Sequence, residues 1–518
     1  MASWCLHFAR IEIKNWSITN IMIRKSHIVK INLTGGIVSA GDLYSIVTAA
    51  ENARVKDVQF GTRQQIIFKV SDQYIKEISQ ALEQSEVQFE INNDLFPNIV
   101  SSYVTENVFA NSGWTSEEVF RDILDCFDHK PILKINIVDR DQTFVPFFTG
   151  NINFISSGVG NYWYLYIRFP KTKILYRWKD LVYSGDIPAI SKEIERIILS
   201  HKDLFYSQAA IDGNALYSYV QSRSRFVYGS MTEDLRLPDF TLPYYEGFNR
   251  YENKLWLGIY RRDELFNLGF LKDICMICMQ TKIGQLHVTP WKSLVIKGID
   301  HTDRKYWDHV LGKYRINVRH ASNELNWQIE DNCEEGLSLK RFLIRQFDKE
   351  DLRTFGLCFV IKTQPNTGLF GSIIIRKLAN DSANQRKNLD RYDILYTKDF
   401  NPNSKDFILF RKNIEKENLA VYLVSLCKYF YGLQSKQDLI VHDTYQQEAI
   451  INNLLPEPVK KVFQCRHCLT IYDTDYGDEI NAIAPGTLFS DVVDSYECPT
   501  CSSPKDDFVE IEKMSLIV

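Results

Sequence analysis

The sequence is poor in the features that mark secreted and membrane proteins. Its 11 cysteines are an odd number spread over 518 residues, unlike the framework of a secreted disulfide-rich domain. No apolar run approaches the roughly 20 residues that a membrane-spanning helix needs. The first residues, MASWCLHFARIEIKNWS, lack the basic start, apolar block and small-residue cleavage site of a signal peptide. These absences predict a cytoplasmic protein with no membrane partner.

Common catalytic and nucleotide-binding motifs are missing as well. There is no P-loop, no G-x-G-x-x-G after a strand pattern, no H-E-x-x-H and no G-x-S-x-G. No flavin or nicotinamide site is therefore predicted, and no catalytic residue is assigned.

Basic residues are scarce at the C-terminal end. From Val462 to Val518, eleven acidic residues stand against Arg466, Lys505 and Lys513, a net charge of about −8. Because the whole chain carries −4, the remainder carries about +4. An acidic module on a mildly basic body indicates docking to basic protein surfaces and argues against nucleic acid as a partner. The alternative is that these carboxylates only keep a small module soluble. Six of them lie near the cysteine pairs in sequence: Asp473, Asp475, Asp478, Glu479, Asp491 and Asp494.

Two cysteine pairs stand out in this acidic segment. Cys465, Cys468, Cys498 and Cys501 have the spacing C-x2-C-x29-C-x2-C. A C-x2-C turn places two sulfurs on one side of a tight loop, and two facing loops make a tetrahedral four-thiolate site. Such a site suits iron or zinc, so these four cysteines are predicted to bind one metal ion.

The residues between and around the pairs resemble rubredoxin over roughly Val462 to Glu512. The matching pieces are Tyr472-Asp473, Gly477-Asp478, Pro485-Gly486-Thr487 with Phe489, Cys498-Pro499, and Pro504-Lys505-Asp506 with Phe508. Rubredoxins hold one iron between four cysteines and pass single electrons. The resemblance therefore implies one iron ion (Fe2+/Fe3+) on these cysteines, with zinc as the alternative.

Three positions depart from the rubredoxin pattern. The glycine that follows each second cysteine is replaced by Leu469 and Ser502, and the tryptophan before the second pair is Tyr496. Glycine at a knuckle permits positive φ and opens backbone N–H groups toward sulfur. Its loss is expected to strain the loops or to alter hydrogen bonding to sulfur, which is one determinant of the reduction potential.

The body of the chain contains two similar segments, around residues 40–70 and 261–299. Each has the pattern of an amphipathic helix, a turn, and a strand pair around a threonine with Arg or Lys. The stretches Gln73–Leu82 and Asp303–Leu311 are expected to form the closing helices. This order predicts two α+β units related by an internal pseudo-twofold.

At these residues the chain resembles the nitrite and sulfite reductase hemoprotein family over about residues 27–435. The resemblance lies in three stretches of the sequence, FGTRQQIIF, LHVTPWKSLVIKGI and YYEGFNRYENKLWLGIY. It implies two ferredoxin-like half-domains alternating with two siroheme-binding domains. The family also holds a 4Fe–4S cluster on two cysteine pairs, one sulfur of which bridges to the siroheme iron.

The cluster cysteines of that family are missing here. HASNELN and TQPNTG stand at the matching places, with His320, Asn326, Gln364 and Gly368 at the cysteine positions. Amides and a glycine cannot replace soft thiolates. Neither a 4Fe–4S cluster nor siroheme is therefore expected, and His320 is interpreted as a polar core residue rather than a haem or metal ligand.

The basic residues that would hold the acidic siroheme are also reduced. Arg63 and Lys292 stand at the family's basic positions in the two repeats, but no Lys or Arg occurs from Asp141 to Ile167. Arg63 is interpreted as a remnant in a structural salt bridge. Cys275 and Cys278 are interpreted as core residues of an apolar helix rather than as ligands.

The predicted fold class is α+β, with a nitrite/sulfite-reductase-like body and a small C-terminal rubredoxin-like knuckle. The expected parts are an N-terminal extension (1–26), a first ferredoxin-like half-domain (27–100), a first siroheme-domain-like unit with crossover (101–235), a second half-domain (236–315), a second siroheme-domain-like unit (316–435), a connector (436–461) and the rubredoxin-like domain (462–518). A hinge is expected at Leu454–Pro458, because Pro456 and Pro458 disfavour helix.

The leading functional hypothesis is an electron carrier whose degenerate body docks a redox partner. That partner is a nitrite or sulfite reductase, or an upstream electron donor. One alternative is a non-redox interaction or assembly protein with a zinc-stapled tail. The other is an active siroheme reductase to which the knuckle supplies electrons.

Overall fold

The computed structural model describes residues 26–109, 113–206, 209–251, 253–319, 322–365, 368–378, 390–404, 406–446 and 461–512. None of the helices in these segments is long and apolar enough to cross a membrane. His320, the hinge expected at Leu454–Pro458 and all but the last residue of the expected N-terminal extension lie outside the described residues.

The first part of the body alternates short strands with two helices. Its elements are β1 (Ser26–Asn32), β2 (Ile37–Ser39), α1 (Ala40–Asn52), β3 (Asp57–Phe60), β4 (Gln65–Ser71), α2 (Ile75–Gln84), β5 (Phe89–Ile91) and β6 (Val100–Ser101). The hydroxyl of Ser39 caps α1 by accepting the Asp42 N–H. Strand β1 is antiparallel to β4 and β5, so that Val29 lies opposite Phe68 on one side and Ile91 on the other.

A larger sheet with helices follows. Its elements are α3 (Glu117–Asp125), β7 (Ile135–Val138), β8 (Ile152–Ser156), β9 (Tyr162–Arg168), β10 (Leu175–Arg177), β11 (Leu181–Tyr183), α4 (Ile187–Ser200), α5 (Lys202–Phe205), α6 (Gly213–Arg223) and β12 (Tyr228–Gly229). The sheet order is β12-β11-β9-β8-β7-β6, with β10 paired to β9. Strands β6, β7 and β8 are parallel, whereas β8 and β9 are antiparallel.

The third part has the helix and strand-pair order predicted from the sequence. Its elements are β13 (Gly247–Tyr251), β14 (Lys254–Ile259), β15 (Phe266–Asn267), α7 (Leu268–Gln280), β16 (Gln285–Val288), β17 (Leu294–Ile299) and α8 (Arg304–Lys313). Both expected closing helices are present, as α2 and α8.

The first and third parts exchange a strand. One sheet has the order β15-β3-β4-β1-β5, so β15 of the third part completes the sheet of the first. The other has the order β13-β14-β17-β16-β2, so β2 of the first part completes the sheet of the third. Helices α1 and α7 contribute to one common hydrophobic core, which includes Leu43 and Val47 from α1 and Leu271 and Ile274 from α7. The two parts therefore form a single unit.

The fourth part is a five-stranded sheet with two long helices. Its elements are α9 (Ser322–Leu325), β18 (Trp327–Ile329), α10 (Glu334–Lys349), β19 (Phe359–Lys362), β20 (Ile373–Lys377), β21 (Arg391–Thr397), β22 (Phe407–Glu415) and α11 (Leu419–Gln446). The order is β18-β19-β20-β21-β22, parallel from β18 to β20 and antiparallel beyond. Helix α11 runs without a break through position 435, which is the predicted C-terminal boundary of the body.

The C-terminal module is a small antiparallel sheet of three strands. They are β23 (Lys461–Cys465), β24 (Ile471–Tyr472) and β25 (Phe508–Glu512), in the order β24-β23-β25. Its core is separate from those of the body. The predicted α+β class is thus confirmed, with Cys465 at the end of β23 and the other three cysteines of the module in loops.

Candidate metal centre

The four cysteines of the C-terminal module converge on one point. Their sulfurs all lie within 4.8 Å of one another, with 3.7 Å between Cys465 and Cys501 and 3.3 Å between Cys468 and Cys498. Four sulfurs held about 2.3 Å from one ion in a tetrahedron are about 3.8 Å apart. Hydrogen bonds between the sulfurs lower the pKa of Cys501 and raise that of Cys498, so thiolate character in the metal-free set is concentrated on Cys501. The residues therefore fit a single four-thiolate metal ion.

The backbone of both knuckles keeps the shape that glycine favours, although glycine is absent. Leu469 has φ +63° and Ser502 has φ +56°. The N–H of Leu469 donates to the carbonyl of Cys465 and that of Ser502 to the carbonyl of Cys498, each at 2.9 Å. A left-handed residue with a β-carbon costs about 1 kcal/mol. The strain expected from the two replaced glycines is therefore present as positive φ at both positions.

Two hydroxyl groups reach the ligand sulfurs at equivalent places. Thr470 Oγ1 lies 3.0 Å from the sulfur of Cys468, and Ser503 Oγ lies 3.1 Å from the sulfur of Cys501. Because a metal-bound thiolate can only accept, the hydroxyls are the donors in the metal-bound state. Neither residue was predicted from the sequence. Each is a hydroxyl residue two positions after the second cysteine of its pair, and this repeated spacing is visible in the sequence.

The ligands differ in their exposure. Cys465, Cys498 and Cys501 are buried, whereas Cys468 keeps part of its surface open. Leu469, the next residue, is 63% exposed. Cys468 is therefore the ligand nearest to solvent, and a partner protein can approach the metal most closely on this side.

An aromatic cluster packs in the same small core as the ligand cysteines. Phe463 and Phe489 stack with ring centres 4.3 Å apart, and Tyr472, Tyr496 and Phe508 pack around Phe489. Tyr496, which replaces the expected tryptophan, donates its hydroxyl to Asp478 at 3.0 Å. The replacement therefore keeps an aromatic ring in the core and adds a hydrogen bond.

The body has no cysteine at the four positions where the resemblance to the reductase family would place cluster ligands. The side-chain amide of Asn326 is buried and donates to the Thr354 carbonyl, the Thr354 hydroxyl and the Leu357 carbonyl. Gln364 is exposed, and Gly368 has no side chain. These residues do not fit an iron–sulfur cluster.

One of those positions, Gly368, lies beside Arg168, and Arg168 belongs to a group of cations whose charges act on one another. A β-carbon on Gly368 would lie 3.7 Å from Arg168 Nη2. Arg168 donates to the Thr149 carbonyl at 2.7 Å, and burial lowers its pKa. Lys134 and Lys362 also have lowered pKa values, first through burial and then through neighbouring arginines.

Arg63 belongs to the same group, and within the described residues its hydrogen-bond partners are two carbonyls and an amide rather than the carboxylate of the expected salt bridge. Its guanidinium donates to the carbonyls of Asn98 at 2.6 Å and Ile135 at 2.9 Å, and to Asn136 Oδ1 at 3.2 Å. Within the described part of the chain its Nε has no hydrogen-bond partner. Burial, then the charge of Arg168, lower the pKa of Arg63 to about 9.

These cations fit an anionic group. Arg63, Lys134, Arg168 and Lys362 each keep some exposed surface while the surrounding protein desolvates them, as expected for side chains in a recess. They come from four distant places in the sequence, which is why a scan for one basic stretch did not find them. Lys292, the basic residue of the second repeat, forms a buried ion pair with Glu264 at 2.7 Å.

Comparison with known proteins identifies the C-terminal module. The sequence profile of the rubredoxin family matches residues 462–508. The probable rubredoxin HupI of Bradyrhizobium diazoefficiens is 43% identical over 49 residues, which are 10% of this chain and 71% of HupI. The chain belongs to the rubredoxin family. Rubredoxin-2 of Alcanivorax borkumensis is 49% identical over 45 residues, or 9% of this chain and 26% of that protein. The relationship thus lies in the C-terminal rubredoxin domain.

The body resembles a different protein in its fold. The structure of the NirA protein of Mycobacterium tuberculosis matches with a TM-score of 0.61 and 14% sequence identity, covering 77% of this chain and 80% of that chain. An identity this low shows a shared fold alone. The reductase-like fold predicted for the body from the sequence is confirmed.

The acidic residues of the rubredoxin domain do not all face solvent. Asp475, Glu479, Asp491 and Asp494 are exposed, and Asp473 is half-buried. Asp478 is buried, and its carboxylate accepts from the N–H groups of Ile480 and Asn481 and from Tyr496. Asp478 is therefore a structural residue rather than part of a docking face.

Four buried cysteines outside the rubredoxin domain are consistent with packing roles. Cys275 and Cys278 are buried in α7, and burial raises the pKa of Cys275 to about 12 and that of Cys278 further. Burial also raises the pKa of Cys358 and Cys427 to about 12. In the described part of the chain, only the four rubredoxin-domain cysteines form a group that could hold a metal ion.

Proposed function

We propose that the protein is a cytoplasmic one-electron carrier. Cys465, Cys468, Cys498 and Cys501 would hold one iron ion, which would supply an Fe3+/Fe2+ couple for the exchange of one electron with a redox partner protein. No bond is made or broken at the protein. The observation that carries this proposal is the convergence of four sulfurs within 4.8 Å in a rubredoxin domain.

The visible spectrum and metal content of the purified full-length protein test this proposal. A red protein with about one iron per chain, bleached by a reductant and restored by air, is the expected result. The matched control is the Cys465→Ser, Cys498→Ser double variant, which should be colourless. A colourless wild-type protein with one zinc ion would overturn the proposal in favour of an interaction protein with a zinc-stapled tail.

We propose that the body is a catalytically degenerate reductase that serves as a docking platform. It carries no 4Fe–4S cluster, because three of the four ligand positions hold Asn326, Gln364 and Gly368, and the first holds histidine. Its partner is a nitrite or sulfite reductase or an upstream electron donor. This assignment of the partner is supported by the reductase-like fold alone.

We also propose that the two ferredoxin-like half-domains form a pseudo-twofold repeat, with domain limits as given in the sequence analysis. The reciprocal exchange of β2 and β15 supports this relation. A twofold-related pair of units is expected to exchange equivalent elements in both directions. Cutting the chain between residues 235 and 236 tests it, because neither half should fold alone.

A second candidate function is an active siroheme reductase, and the cation group that includes Arg168 is the observation that favours it. Siroheme is a polycarboxylate, and Arg63, Lys134, Arg168 and Lys362 offer the opposite charge. When bound, siroheme would supply the iron at which nitrite or sulfite is reduced. Titration with siroheme, followed by its absorption spectrum, distinguishes the candidates. Saturable siroheme binding that Arg168→Gln weakens, together with nitrite or sulfite turnover, would overturn the docking role proposed for the body.

A further inference from the structure

The rubredoxin domain touches the body through the backbone of a metal ligand. Arg304, the first residue of α8, donates from Nη1 to the carbonyl oxygen of Cys501 at 2.5 Å. Cys501 is one of the buried ligands, and its sulfur also lies beside the Ser503 hydroxyl. A charged donor from the body therefore reaches the second metal loop directly.

The body holds the Arg304 side chain in place for this contact. Its Nε lies 3.6 Å from Asp308 Oδ2 one turn along α8, and its guanidinium carbon lies 4.9 Å from the centre of the Phe248 ring. The side chain is 30% exposed, so the contact is only partly shielded from water. A guanidinium fixed by an aromatic face and a carboxylate loses little further freedom when it binds a carbonyl.

The contact places the domain on a defined part of the body. Phe248 lies on β13, and its neighbour Gly247 is so close to the next segment that a β-carbon there would be 3.2 Å from the Val318 carbonyl. Val318 stands two residues before His320, the first of the four replaced ligand positions. The residue that holds the metal loop therefore packs on β13, and β13 also contacts the segment that leads to position 320.

We propose that Arg304 is a positioning residue that seats the second metal loop on the body and raises the reduction potential of the iron. This inference rests on the proposed electron-carrier function. The reduced centre carries one more negative charge than the oxidised centre, so a nearby fixed cation stabilises the reduced form more. Because Cys501 is buried and its loop is held by Arg304, the half-open Cys468 is the ligand through which a partner protein exchanges the electron.

The first test is the midpoint potential of the full-length protein and three variants, measured by spectroelectrochemistry. Arg304→Gln removes the charge, Arg304→Lys keeps it, and Lys305→Gln is the matched control. Lys305 is the next residue of α8, and its ammonium lies 5.3 Å from the Tyr306 ring centre. At a fixed applied potential, Arg304→Gln should reduce the ratio of reduced to oxidised iron at least threefold. Arg304→Lys should recover most of that loss, and Lys305→Gln should cause little change.

The second test measures the seating itself by hydrogen exchange of the amides in residues 500–503. These should exchange at least tenfold faster in Arg304→Gln than in wild type or Lys305→Gln, in the iron form and equally in a zinc-substituted form. If the wild-type protein binds only zinc, the carrier function is wrong. The exchange rates of the zinc form would still show whether Arg304 holds the second metal loop. Equal exchange and equal potential in Arg304→Gln and Lys305→Gln would overturn the role of Arg304.

Discussion

The rubredoxin domain and the reductase-like body differ in what they share with the families they resemble. The domain has four metal ligands, and its loops hold a left-handed conformation at Leu469 and Ser502, where the rubredoxin pattern has glycine. The body has the fold of the NirA protein and a group of cations, but Asn326, Gln364 and Gly368 offer no thiolate. A packed core depends on many side chains and tolerates the loss of a few, whereas a metal site depends on four. A shared fold is therefore weaker evidence for function than a complete ligand set.

The largest expected effect comes from removing the ligands of the domain. In Cys465→Ser, Cys498→Ser the metal should be lost and the rubredoxin domain should unfold, because metal binding supplies roughly 10 kcal/mol to the folding of such small sites. The body has its own cores, so its melting temperature should stay within a few degrees of wild type. Calorimetry with circular dichroism measures both transitions. A large fall in the melting temperature of the body would show that the two regions fold as one.

A smaller effect should follow from a change at a former ligand position of the body. Asn326→Ala should lower the free energy of unfolding of the body by about 2–3 kcal/mol, because three buried acceptors lose their donor. Gln364→Ala is the matched control at an exposed position and should change the stability little. Urea denaturation measures both. Equal effects would contradict the structural role assigned to the Asn326 amide.

Restoring the glycines should stabilise the domain modestly. Leu469→Gly and Ser502→Gly should each raise its stability by about 0.5–1 kcal/mol, because glycine adopts positive φ without the β-carbon penalty. The rate of metal release to a chelator reports the change and should fall. Leu488→Gly is the control: Leu488 is also exposed but has φ −67°, so glycine there should destabilise the domain. Faster metal release in the first two variants would show that their backbone is not strained.

The smallest effect concerns the exposed carboxylates. Changing Asp475, Asp491 and Asp494 to Asn and Glu479 to Gln should slow electron exchange with a basic-faced partner about threefold at low salt. The dependence of the rate on salt should flatten, because screening acts over about 8 Å at physiological ionic strength. Asp478→Asn, at a buried position, should leave the salt slope unchanged. Stopped-flow reduction across a salt series measures these slopes, and identical slopes in all proteins would leave solubility as the role of the acidic face.

The metal site and the main helices and strands could be predicted from the sequence, because they depend on cysteine spacing and on local residue patterns. The two C-x2-C pairs predicted the sulfur cage, and the helix and strand-pair pattern predicted α1, β3 and β4 and their counterparts α7, β16 and β17. Strands β2 and β15 were not predicted, since elements of three and two residues have no readable periodicity. The burial of Asp478 was missed because an acidic residue in a run of acidic residues gives no sign of its hydrogen bonds. The cation group was missed because its members come together only in the folded chain.

The exchange of β2 and β15 makes the body indivisible. Each sheet needs a strand supplied by the other part, so a truncated gene product that kept one part would leave an open sheet edge and half a core. A substitution of one side chain leaves both sheets complete, whereas the loss of either part does not. The body is therefore expected to tolerate change residue by residue but not the removal of its first or its third part.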